Sequence, residues 1–416
     1  MRGLAATFVV TGDPARAPIA DGALVLGDDG RIAAVGPRAE LERAHPGVRF
    51  ESHRAVLLPG LVNAHVHLEL SALRGQVTGG RGFTAWVTQM MAARERLSPE
   101  RDIEQIDRAV SELLGFGTAA VGEVTNSLAA VPYLGSSPIR GRVFHEVFGT
   151  RRASGEGMLE QAEKARAAVS SWPASLSYAV APHTTYTLHP DVLKATLARA
   201  RAARELTTLH LCEHPAERKL LLDGGGPFAE FLAARGVVAD WAPPRLDPIR
   251  YAKSLGALAP DVLCVHLTEA QPDELRELAA SGAKVVLCPR SNLHIEVKLP
   301  PLVALLEAGI QPALGTDSLA SCPSLDVLED ARALGERFSS VPARTLLAMA
   351  TSYGAAALGY EDTLGTLAPG KAPGVLAFGH GASAPIDPER FLLSRTTRDR
   401  SVLAFPGPVQ AQEAPS

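Results

Sequence analysis

Five side chains of metal-binding type fall at the ends of short apolar segments of this chain. His65 and His67 are separated by one residue, so on a β-strand both imidazoles point to the same face. His210, His266 and Asp317 each close a later apolar segment. Any one of them alone would more often be a hydrogen-bonded structural residue. Four imidazoles and a carboxylate at equivalent places instead predict a site for a divalent metal, such as Zn²⁺.

A metal in such a site would favour a hydrolytic reaction. It lowers the pKa of a bound water towards about 7, so that hydroxide is available at neutral pH. The reaction then needs a side chain that carries a proton to the substrate. Glu213, three residues after His210, is the candidate. The alternative is that Glu213 is a surface residue at the start of a helix, where the helix dipole favours an acid.

From residue 57 onwards, short apolar segments alternate with helical patterns, which is typical of parallel βα units. No Gly-x-Gly-x-x-Gly follows the first of these strands and no Gly-Lys-Ser/Thr phosphate loop occurs, so a nucleotide-cofactor fold loses support. Eight such strands predict a closed α/β barrel of the (β/α)8 TIM type, whose active sites lie at the carboxyl ends of the strands. The predicted strands cover residues 61–67, 119–124, 143–148, 176–181, 206–210, 262–266, 284–288 and 311–316.

Both ends of the chain differ from this pattern and contain short strands with tight turns. Residues 1–56 include the turn sequence Gly27-Asp-Asp-Gly30, and residues 358–405 again show short strand patterns separated by turn residues. We therefore expect a small β-sandwich domain, built from both ends, beside a barrel of residues 57–357. The Pro-, Ala- and Gln-rich residues 406–416 are predicted to be a disordered tail.

The composition excludes several classes of partner. Hydrophobic residues make up 46% of the 416 residues, enough for a sizeable core. The formal net charge is −4 and no basic stripe with interleaved aromatics occurs, so neither nucleic acid nor a membrane surface is an expected partner. No apolar run of about 20 residues and no signal-peptide pattern is present. With four widely spaced cysteines, the chain is expected to be a cytoplasmic protein with reduced thiols.

Taken together, these motifs resemble the amidohydrolase superfamily, in the branch that contains cytosine, guanine and S-adenosylhomocysteine deaminases and the triazine chlorohydrolases. The resemblance runs nearly from end to end, and its motifs follow in the family's order. They are the β segment at 22–36, the metal strand from Leu58 to Glu69, Ala181-Pro-His-Thr-Thr-Tyr186, His210-Leu-Cys-Glu213, Cys288-Pro-Arg-Ser-Asn292, Gly315-Thr-Asp-Ser318 and Leu364-Gly-Thr-Leu-Ala-Pro-Gly-Lys371.

The resemblance implies one divalent metal ion, zinc before iron or manganese. Dinuclear members of the superfamily bridge two metals with a carboxylated lysine on the fourth strand, and residues 176–181 contain no lysine. The expected partner is a small-molecule substrate. Because dimers are common among the relatives, a homodimer is one possible assembly. The implied roles are metal ligation by His65, His67, His210 and Asp317, proton transfer by Glu213, hydrogen bonding of the water or tetrahedral centre by His266, and proton acceptance by Asp317.

Substrate recognition is implied for three further residues. The run His67-Leu-Glu-Leu-Ser71, followed by Phe83 and Trp86, looks most like the aminodeoxyfutalosine deaminases of the alternative menaquinone route. In that case Glu69 and His183 would contact the substrate, and Trp86 would cap its flat ring. The alternatives are a loop-anchoring role for His183 and ordinary helix packing for the aromatic pair.

The expected function is hydrolytic deamination of an amino-substituted purine-type nucleoside, with aminodeoxyfutalosine as the specific expectation. A chlorohydrolase or a cyclic amide or amidine hydrolase would use the same catalytic residues and stays open as an alternative. From another class, a catalytically silent small-molecule binding protein on this scaffold also stays open, although retention of Glu213 beside the ligands argues against it.

Overall fold

The computed structural model describes residues 1–394 and 400–407, and the chain has a mixed α/β fold with two parallel sheets and a third sheet of mixed direction. The strands are β1 (Arg2–Val9), β2 (Ile19–Leu26), β3 (Ile32–Pro37), β4 (Phe50–Pro59), β5 (Leu61–His67), β6 (Thr118–Thr125), β7 (Arg140–Val147), β8 (Leu176–Pro182), β9 (Thr207–Leu211), β10 (Val262–His266), β11 (Lys284–Leu287), β12 (Ala313–Leu314), β13 (Asp317–Ser318), β14 (Val375–Gly379) and β15 (Arg400–Ala404).

Helices connect the parallel strands, as a crossover between neighbouring parallel strands requires. A 3₁₀ helix (Leu68–Leu73) follows β5 directly. The α-helices are α1 (Arg38–Ala44), α2 (Phe83–Arg94), α3 (Pro99–Gly115), α4 (Val131–Gly135), α5 (Arg152–Ala168), α6 (Pro190–Ala202), α7 (Pro215–Asp223), α8 (Pro227–Ala234), α9 (Pro248–Ser254), α10 (Pro272–Ser281), α11 (Pro289–Glu296), α12 (Leu302–Glu307), α13 (Val327–Arg337), α14 (Ala343–Met349), α15 (Ser352–Ala357) and α16 (Pro388–Leu392).

The two parallel sheets have the strand orders β13-β5-β6-β7-β8 and β12-β11-β10-β9, and they adjoin each other at both edges. On one side Thr207 Oγ1 donates to Val180 O at 2.9 Å, and Thr184 and His210 form an isolated parallel bridge. On the other side β12 and β13 belong to different sheets although only two residues separate them. The carboxyl ends of both sets of strands therefore face the same side of the molecule.

Seven of the eight predicted strands coincide with β5 to β11 within three residues at each end. The eighth, at 311–316, is wrong as one continuous strand, because Gly315 and Thr316 separate β12 from β13. The Gly315 amide still donates to Leu287 O of β11 at 2.9 Å, and the chain leaves the ladder at Thr316. The amide of Thr316 donates to Asn63 Oδ1 at 3.0 Å, and Asn63 Nδ2 donates to Thr316 Oγ1 at 2.8 Å. A side chain thus replaces the neighbouring strand as hydrogen-bond partner. A Cβ at Gly315 would lie only 2.7 Å from the Cβ of His65, so the backbone approaches closely here.

The two ends of the chain form one six-stranded sheet in the order β15-β14-β4-β1-β2-β3, which confirms that they pair with each other. Ala5, Ala23 and Val25 of this sheet pack against Leu41 of α1. β4 ends at Pro59 and β5 begins at Leu61, so this sheet leads directly into the strand that carries the first two histidines.

Capping residues mark one end each of α3 and α10. Ser98 Oγ accepts a hydrogen bond from Arg101 N at 3.3 Å, with Pro99 at the first helical position, as in an N-cap. α10 ends at Ser281 and is followed by Gly282 in a left-handed conformation. These caps fix the ends of helices that cover the sheets.

The first two residues of the predicted tail, 406 and 407, pack against the rest of the chain. Pro406 and Gly407 are buried, and Arg140 Nη2 donates to Gly407 O at 3.1 Å. Residues 408–416, on which most of the predicted tail falls, lie outside the described residues. Among the residues described, no helix is both long and apolar enough to cross a bilayer, and the four cysteines are buried and free.

The Asn63–Thr316 pair is expected to stabilise the junction of β5 with β13. Replacing Asn63 with Ala leaves the buried Thr316 amide without its acceptor, which costs about 1–3 kcal/mol. The midpoint of urea unfolding should fall, whereas Gln161→Ala, on the exposed face of α5, should stay within about 0.5 kcal/mol of the unmutated chain. Equal midpoints for N63A and Q161A would show that the junction does not depend on this amide.

Candidate metal centre and substrate pocket

The histidines and carboxylates singled out in the sequence converge at the carboxyl ends of the parallel strands. His67 Nε2 lies 3.2 Å from His65 Nε2 and 3.4 Å from His210 Nε2. Asp317 Oδ1 lies 3.6 Å from His67 Nε2 and 4.0 Å from His65 Nε2. His266 also belongs to the group, since one ring nitrogen each of His65, His210 and His266 lie within 4.8 Å of one another. The structure therefore brings together side chains that are up to 252 positions apart in the sequence (65 to 317).

This group has the donor spacing that one tetrahedral metal ion requires. Ligand atoms at about 2.0–2.1 Å from such an ion are about 3.4 Å apart. The Nε2 separations of 3.2 and 3.4 Å around His67 match that value. Buried polar atoms that face each other without a bridging hydrogen or cation are costly. Three imidazole nitrogens and one carboxylate oxygen thus fit one divalent ion.

The backbone at the strand ends aims these side chains at each other. Cys212, His266 and Asp317 have positive φ angles of 53°, 79° and 58°, which residues other than glycine rarely adopt. Cys212 directly follows β9, His266 is the last residue of β10, and Asp317 is the first residue of β13. Each left-handed residue costs of order 1–3 kcal/mol, and such strain is typically concentrated at functional sites.

Hydrogen bonds behind the group orient three of its members. His210 Nδ1 lies 3.1 Å from the carbonyl oxygen of His183, which can only accept, so Nδ1 carries the proton and Nε2 presents its lone pair to the site. Asp317 Oδ2 accepts from Ser291 Oγ at 2.5 Å and from Ser321 Oγ at 3.2 Å, which leaves Oδ1 facing the histidines. On the other side of the site, Asn292 Nδ2 donates to His266 Nδ1 at 3.1 Å.

Burial controls the ionisation of the site. It lowers the pKa of His65 and His266 well below the usual range of a histidine and that of His210 to about 4, so these rings are in the neutral form that binds metals. Burial also raises the pKa of Glu213 well above its usual range, and the charge of Asp317 adds to this effect. A divalent cation among these groups would favour the ionised carboxylates.

Glu213 lies beside His266 and is held by the first turn of α7. Glu213 Oε1 is 3.6 Å from His266 Nε2. Its amide donates to Glu217 Oε2 at 3.0 Å, while His214 Nδ1 accepts from Glu217 N at 3.2 Å. This reciprocal pattern resembles a capping box and fixes the chain just before the helix. Glu213 is therefore a buried residue of the site and not an exposed acid at a helix start.

A cavity of about 140 Å³ lies over the metal-binding group, and one face of α2 forms its apolar wall. Phe83 anchors this helix: its amide donates to Glu296 Oε1 at 2.6 Å, and its ring stacks on His214 with centroids 4.1 Å apart. Trp86 is buried, and its indole Nε1 has no hydrogen-bond partner among the residues described. The cavity is lined by His67, Glu69, Leu70, Phe83, Trp86, Val87, Met90, Arg94, Asn126, Glu146, His183, His210, Glu213, His266 and Asp317.

All three residues predicted to contact substrate line this cavity, but two of them also hold the chain in place. Glu69 Oε2 accepts from Thr125 Oγ1 at 3.0 Å, from Ser127 Oγ at 2.9 Å, and from the amides of residues 126 and 127. Only Glu69 Oε1 is left for another partner. His183 Nδ1 lies 2.7 Å from Thr187 Oγ1, and burial lowers the pKa of His183 to about 4.

Sequence reasoning missed four residues of the site. Glu146 and Asn126 line the cavity from the ends of β7 and β6, and Glu146 Oε1 lies 3.6 Å from His210 Nδ1. Arg94 lines it from the last turn of α2. Glu217 supports the backbone of Glu213. A polar residue near the end of a predicted strand is a signal that could have found Glu146, whereas Arg94 is a single charged residue in the last turn of a helix and offers none.

Residues 56–397 match the model of the Amidohydrolase family, and the chain therefore belongs to this family. A short segment, residues 28–47, also matches the imidazolonepropionase-like composite domain of bacteria. The family match covers every residue of the group described above, from His65 to Asp317.

Two relatives are deaminases by name. The aminodeoxyfutalosine deaminase of Deinococcus radiodurans is 28% identical over 352 residues, which cover 81% of this chain and 81% of that protein. The 5-methylthioadenosine/S-adenosylhomocysteine deaminase of Halobacterium salinarum is 30% identical over 357 residues, which cover 83% of this chain and 77% of that protein.

Solved structures share the fold. The aminofutalosine deaminase of Helicobacter pylori in complex with methylthio-coformycin superimposes with a TM-score of 0.87 at 23% identity, over 98% of this chain and 99% of that one. An adenosine deaminase of Xanthomonas campestris with bound zinc gives a TM-score of 0.74 at 26% identity, over 91% of this chain and 85% of that one.

The convergence of ligand atoms predicts how metal content responds to mutation. His65→Ala and His67→Ala each remove one nitrogen from the group, so bound divalent metal should fall from about one ion per chain to well below that. Inductively coupled plasma mass spectrometry of the purified variants measures this. His380→Ala is the matched control, because His380 bonds Thr7 in the six-stranded sheet, outside the group. Full metal content in both ligand variants would contradict the site.

Proposed function

We propose that this chain is a metal-dependent hydrolase that deaminates an amino-substituted purine nucleoside, with aminodeoxyfutalosine as the specific candidate. One observation carries the proposal: a buried glutamate, Glu213, lies beside His266 at the open side of a donor group suited to one divalent ion. Membership of the Amidohydrolase family and the names of the two relatives support the same reaction class.

The proposal includes the architecture and the metal. The two parallel sheets, which adjoin at both edges, support closure into one (β/α)8 barrel over residues 57–357, with residues 1–56 and 358–405 contributing the smaller β-sandwich domain. Zinc is the proposed ion, because three imidazoles with one carboxylate suit it and because the adenosine deaminase of Xanthomonas campestris binds zinc. When bound, the ion acts as a Lewis acid that makes a hydrolytic water more acidic.

In this reaction water adds to the ring carbon that bears the amine, the carbon–nitrogen bond breaks, and ammonia leaves. Asp317 is placed to accept a proton of the water through Oδ1, since Oδ2 is already occupied by Ser291 and Ser321. The raised pKa of Glu213 suits a group that takes up a proton and delivers it to a ring nitrogen. His266 lies next to Glu213, where it can hydrogen-bond the oxygen that adds to the ring.

The cavity suits a flat ring bound between the metal group and α2. Trp86 and Phe83 contribute aromatic surface to the cavity wall. His183 and Glu69 Oε1, which accepts a long hydrogen bond of 3.4 Å from Arg94, add polar contacts for the substrate. These features support Glu69, His183 and Trp86 as substrate-binding residues.

A panel of adenine nucleosides tests the reaction. The metal-loaded chain should release ammonia from aminodeoxyfutalosine, 5-methylthioadenosine, S-adenosylhomocysteine or adenosine, and the relative kcat/KM values identify the preferred substrate. Silence across the panel with one metal bound would exclude the deaminase. Chloride release from chlorotriazines or ring opening of cyclic amides would then identify the alternative reaction at the same site.

Glu213 is expected to be needed for the proton transfer and not for metal binding. Glu213→Gln cannot exchange a proton, so kcat should fall by about 10²- to 10⁴-fold with the metal content unchanged. Glu230→Gln, an equivalent change on exposed α8, should leave kcat unaffected. An E213Q enzyme with normal ammonia release would remove this residue from the mechanism.

Glu217 is expected to act through the position of Glu213. Glu217→Ala removes the acceptor of the Glu213 amide, so kcat should fall about tenfold, as expected for one lost hydrogen bond of about 1.4 kcal/mol. Glu217→Gln keeps an acceptor oxygen and should recover most of that loss. KM and metal content should change little in either variant. If E217Q were as slow as E217A, the charge of Glu217 and not its hydrogen bond would matter.

A further inference from the structure

His210 and His266 are neighbouring rings of the metal-binding group, but chemically opposite partners lie behind them. The two imidazoles stack with their centroids 5.3 Å apart and 21° between their planes. His210 Nδ1 lies 3.1 Å from the carbonyl oxygen of His183, whereas His266 Nδ1 lies 3.1 Å from Nδ2 of Asn292. A carbonyl oxygen only accepts hydrogen bonds, and an amide nitrogen only donates them. The same ring atom must therefore donate in His210 and accept in His266.

These partners select a different tautomer for each ring. Because Nδ1 of His210 donates, it carries the proton of the neutral ring, and Nε2 has a lone pair for a metal ion. Because Nδ1 of His266 accepts, the proton of this ring lies on Nε2. A protonated ring nitrogen has no lone pair for a metal ion, but it can donate a hydrogen bond to an oxygen.

The orientation of the Asn292 amide follows from the cost of burying unpaired polar atoms. Asn292 is 1% exposed, and its Oδ1 has no hydrogen-bond partner in the part of the chain that the structure describes. Turned by 180°, the amide would present Oδ1 to His266 and would bury its NH₂ group in the unpartnered position. Unpaired buried N–H groups are rarer than carbonyl oxygens without a partner. This favours the orientation in which Nδ2 faces His266.

The fold holds Asn292 firmly behind His266. β10 ends at His266 and is the neighbour of β11 in the sheet, and α11 begins two residues after β11 ends. The backbone amide of Asn292 donates to Cys288 O at 3.0 Å and so closes the first turn of α11. The preceding residue, Ser291, donates to Asp317 Oδ2 at 2.5 Å. Consecutive residues of one helix thus orient both Asp317 and His266.

We propose that Asn292 is a positioning residue of the hydrolytic site: it keeps the proton of His266 on Nε2, so that His266 donates a hydrogen bond to the oxygen that adds to the substrate and does not bind the metal ion. His266 Nε2 lies 3.6 Å from Glu213 Oε1, so this N–H is on the side of the site where the proposed proton transfer takes place. The tautomer of His266 does not depend on the identity of the substrate. Only its effect on the rate of deamination rests on the proposed function.

The tautomer can be measured in the unmutated chain. Zinc-loaded protein is labelled with ¹⁵N at histidine alone, and NMR correlations between ring protons and ring nitrogens distinguish a protonated nitrogen from an unprotonated one. The signals that are missing in His266→Gln identify His266. Its proton should be on Nε2, as the contact with Asn292 requires. A proton on Nδ1 would overturn the proposal and leave the deaminase reaction unaffected.

Replacement of Asn292 should change the reaction through His266. Asn292→Leu removes the donor at a similar side-chain size, so both tautomers become accessible and kcat should fall about tenfold. Asn292→Asp introduces an ionised carboxylate, which only accepts. The proton should then move to Nδ1, and kcat should fall by about 10²- to 10³-fold, as for the loss of a donor to a developing oxyanion. Leu293→Asp places the same carboxylate on the exposed next residue and should leave kcat unchanged.

A double-mutant cycle with His266→Gln separates positioning from a general effect on the fold. In the H266Q background, N292L should alter the residual kcat by less than about twofold, because the ring that Asn292 orients is absent. Equal losses in both backgrounds would overturn the proposal, since Asn292 would then act on another part of the site. If the Asn292 variants do not fold, the NMR measurement on the unmutated chain decides. No ammonia from any nucleoside, together with a proton on Nε2, would overturn the deaminase and support the orientation of His266.

Discussion

The site depends on one physical constraint: several titratable groups are buried together and must share a compensating positive charge. His65, His67, His210 and Asp317 bring their donor atoms within 3.2–4.0 Å of their neighbours at the carboxyl ends of the strands. Each imidazole must direct a lone pair towards a cation, and the negative charge of each carboxylate must be compensated by a positive charge. A single divalent ion satisfies all of them at once. Much of the surrounding structure serves to hold the groups in that arrangement.

The supporting contacts extend from the site to the far end of the chain. Asp317 is oriented by Ser291, whose neighbour Arg290 donates to the backbone oxygen of Asp326 at 3.1 Å. The side chain of Asp326 in turn pairs with Arg400 of β15, with Arg400 Nη1 donating to Oδ1 at 3.0 Å. The sheet formed by the two chain ends is thus linked by buried polar contacts to a ligand of the metal group. This linkage gives the terminal segments a structural connection with the site.

Helix α2 connects the two parts of the site that a substrate would join. Its N-terminal residue Phe83 stacks on His214, next to Glu213, and its last turn carries Arg94. Between them Trp86 adds aromatic surface to the cavity wall. The shape of the cavity on this side therefore depends on the placement of a single helix.

The sequence by itself predicted most strands of the parallel sheets and the group of side chains that could bind a metal. Alternation of apolar strands with helices located β5 to β11, and the His-x-His pair with the later His and Asp residues identified the metal group, because periodicity and residue type are local properties. Tertiary structure decided the rest. The break at Thr316 arises because the side chain of Asn63, more than 250 positions away, supplies its hydrogen bonds. Glu217 and Arg94 enter the site only through the packing of α7 and α2, and no local pattern distinguishes them from ordinary polar residues. Those same long-range contacts, together with the metal-binding group, shape the cavity in which a substrate would be selected.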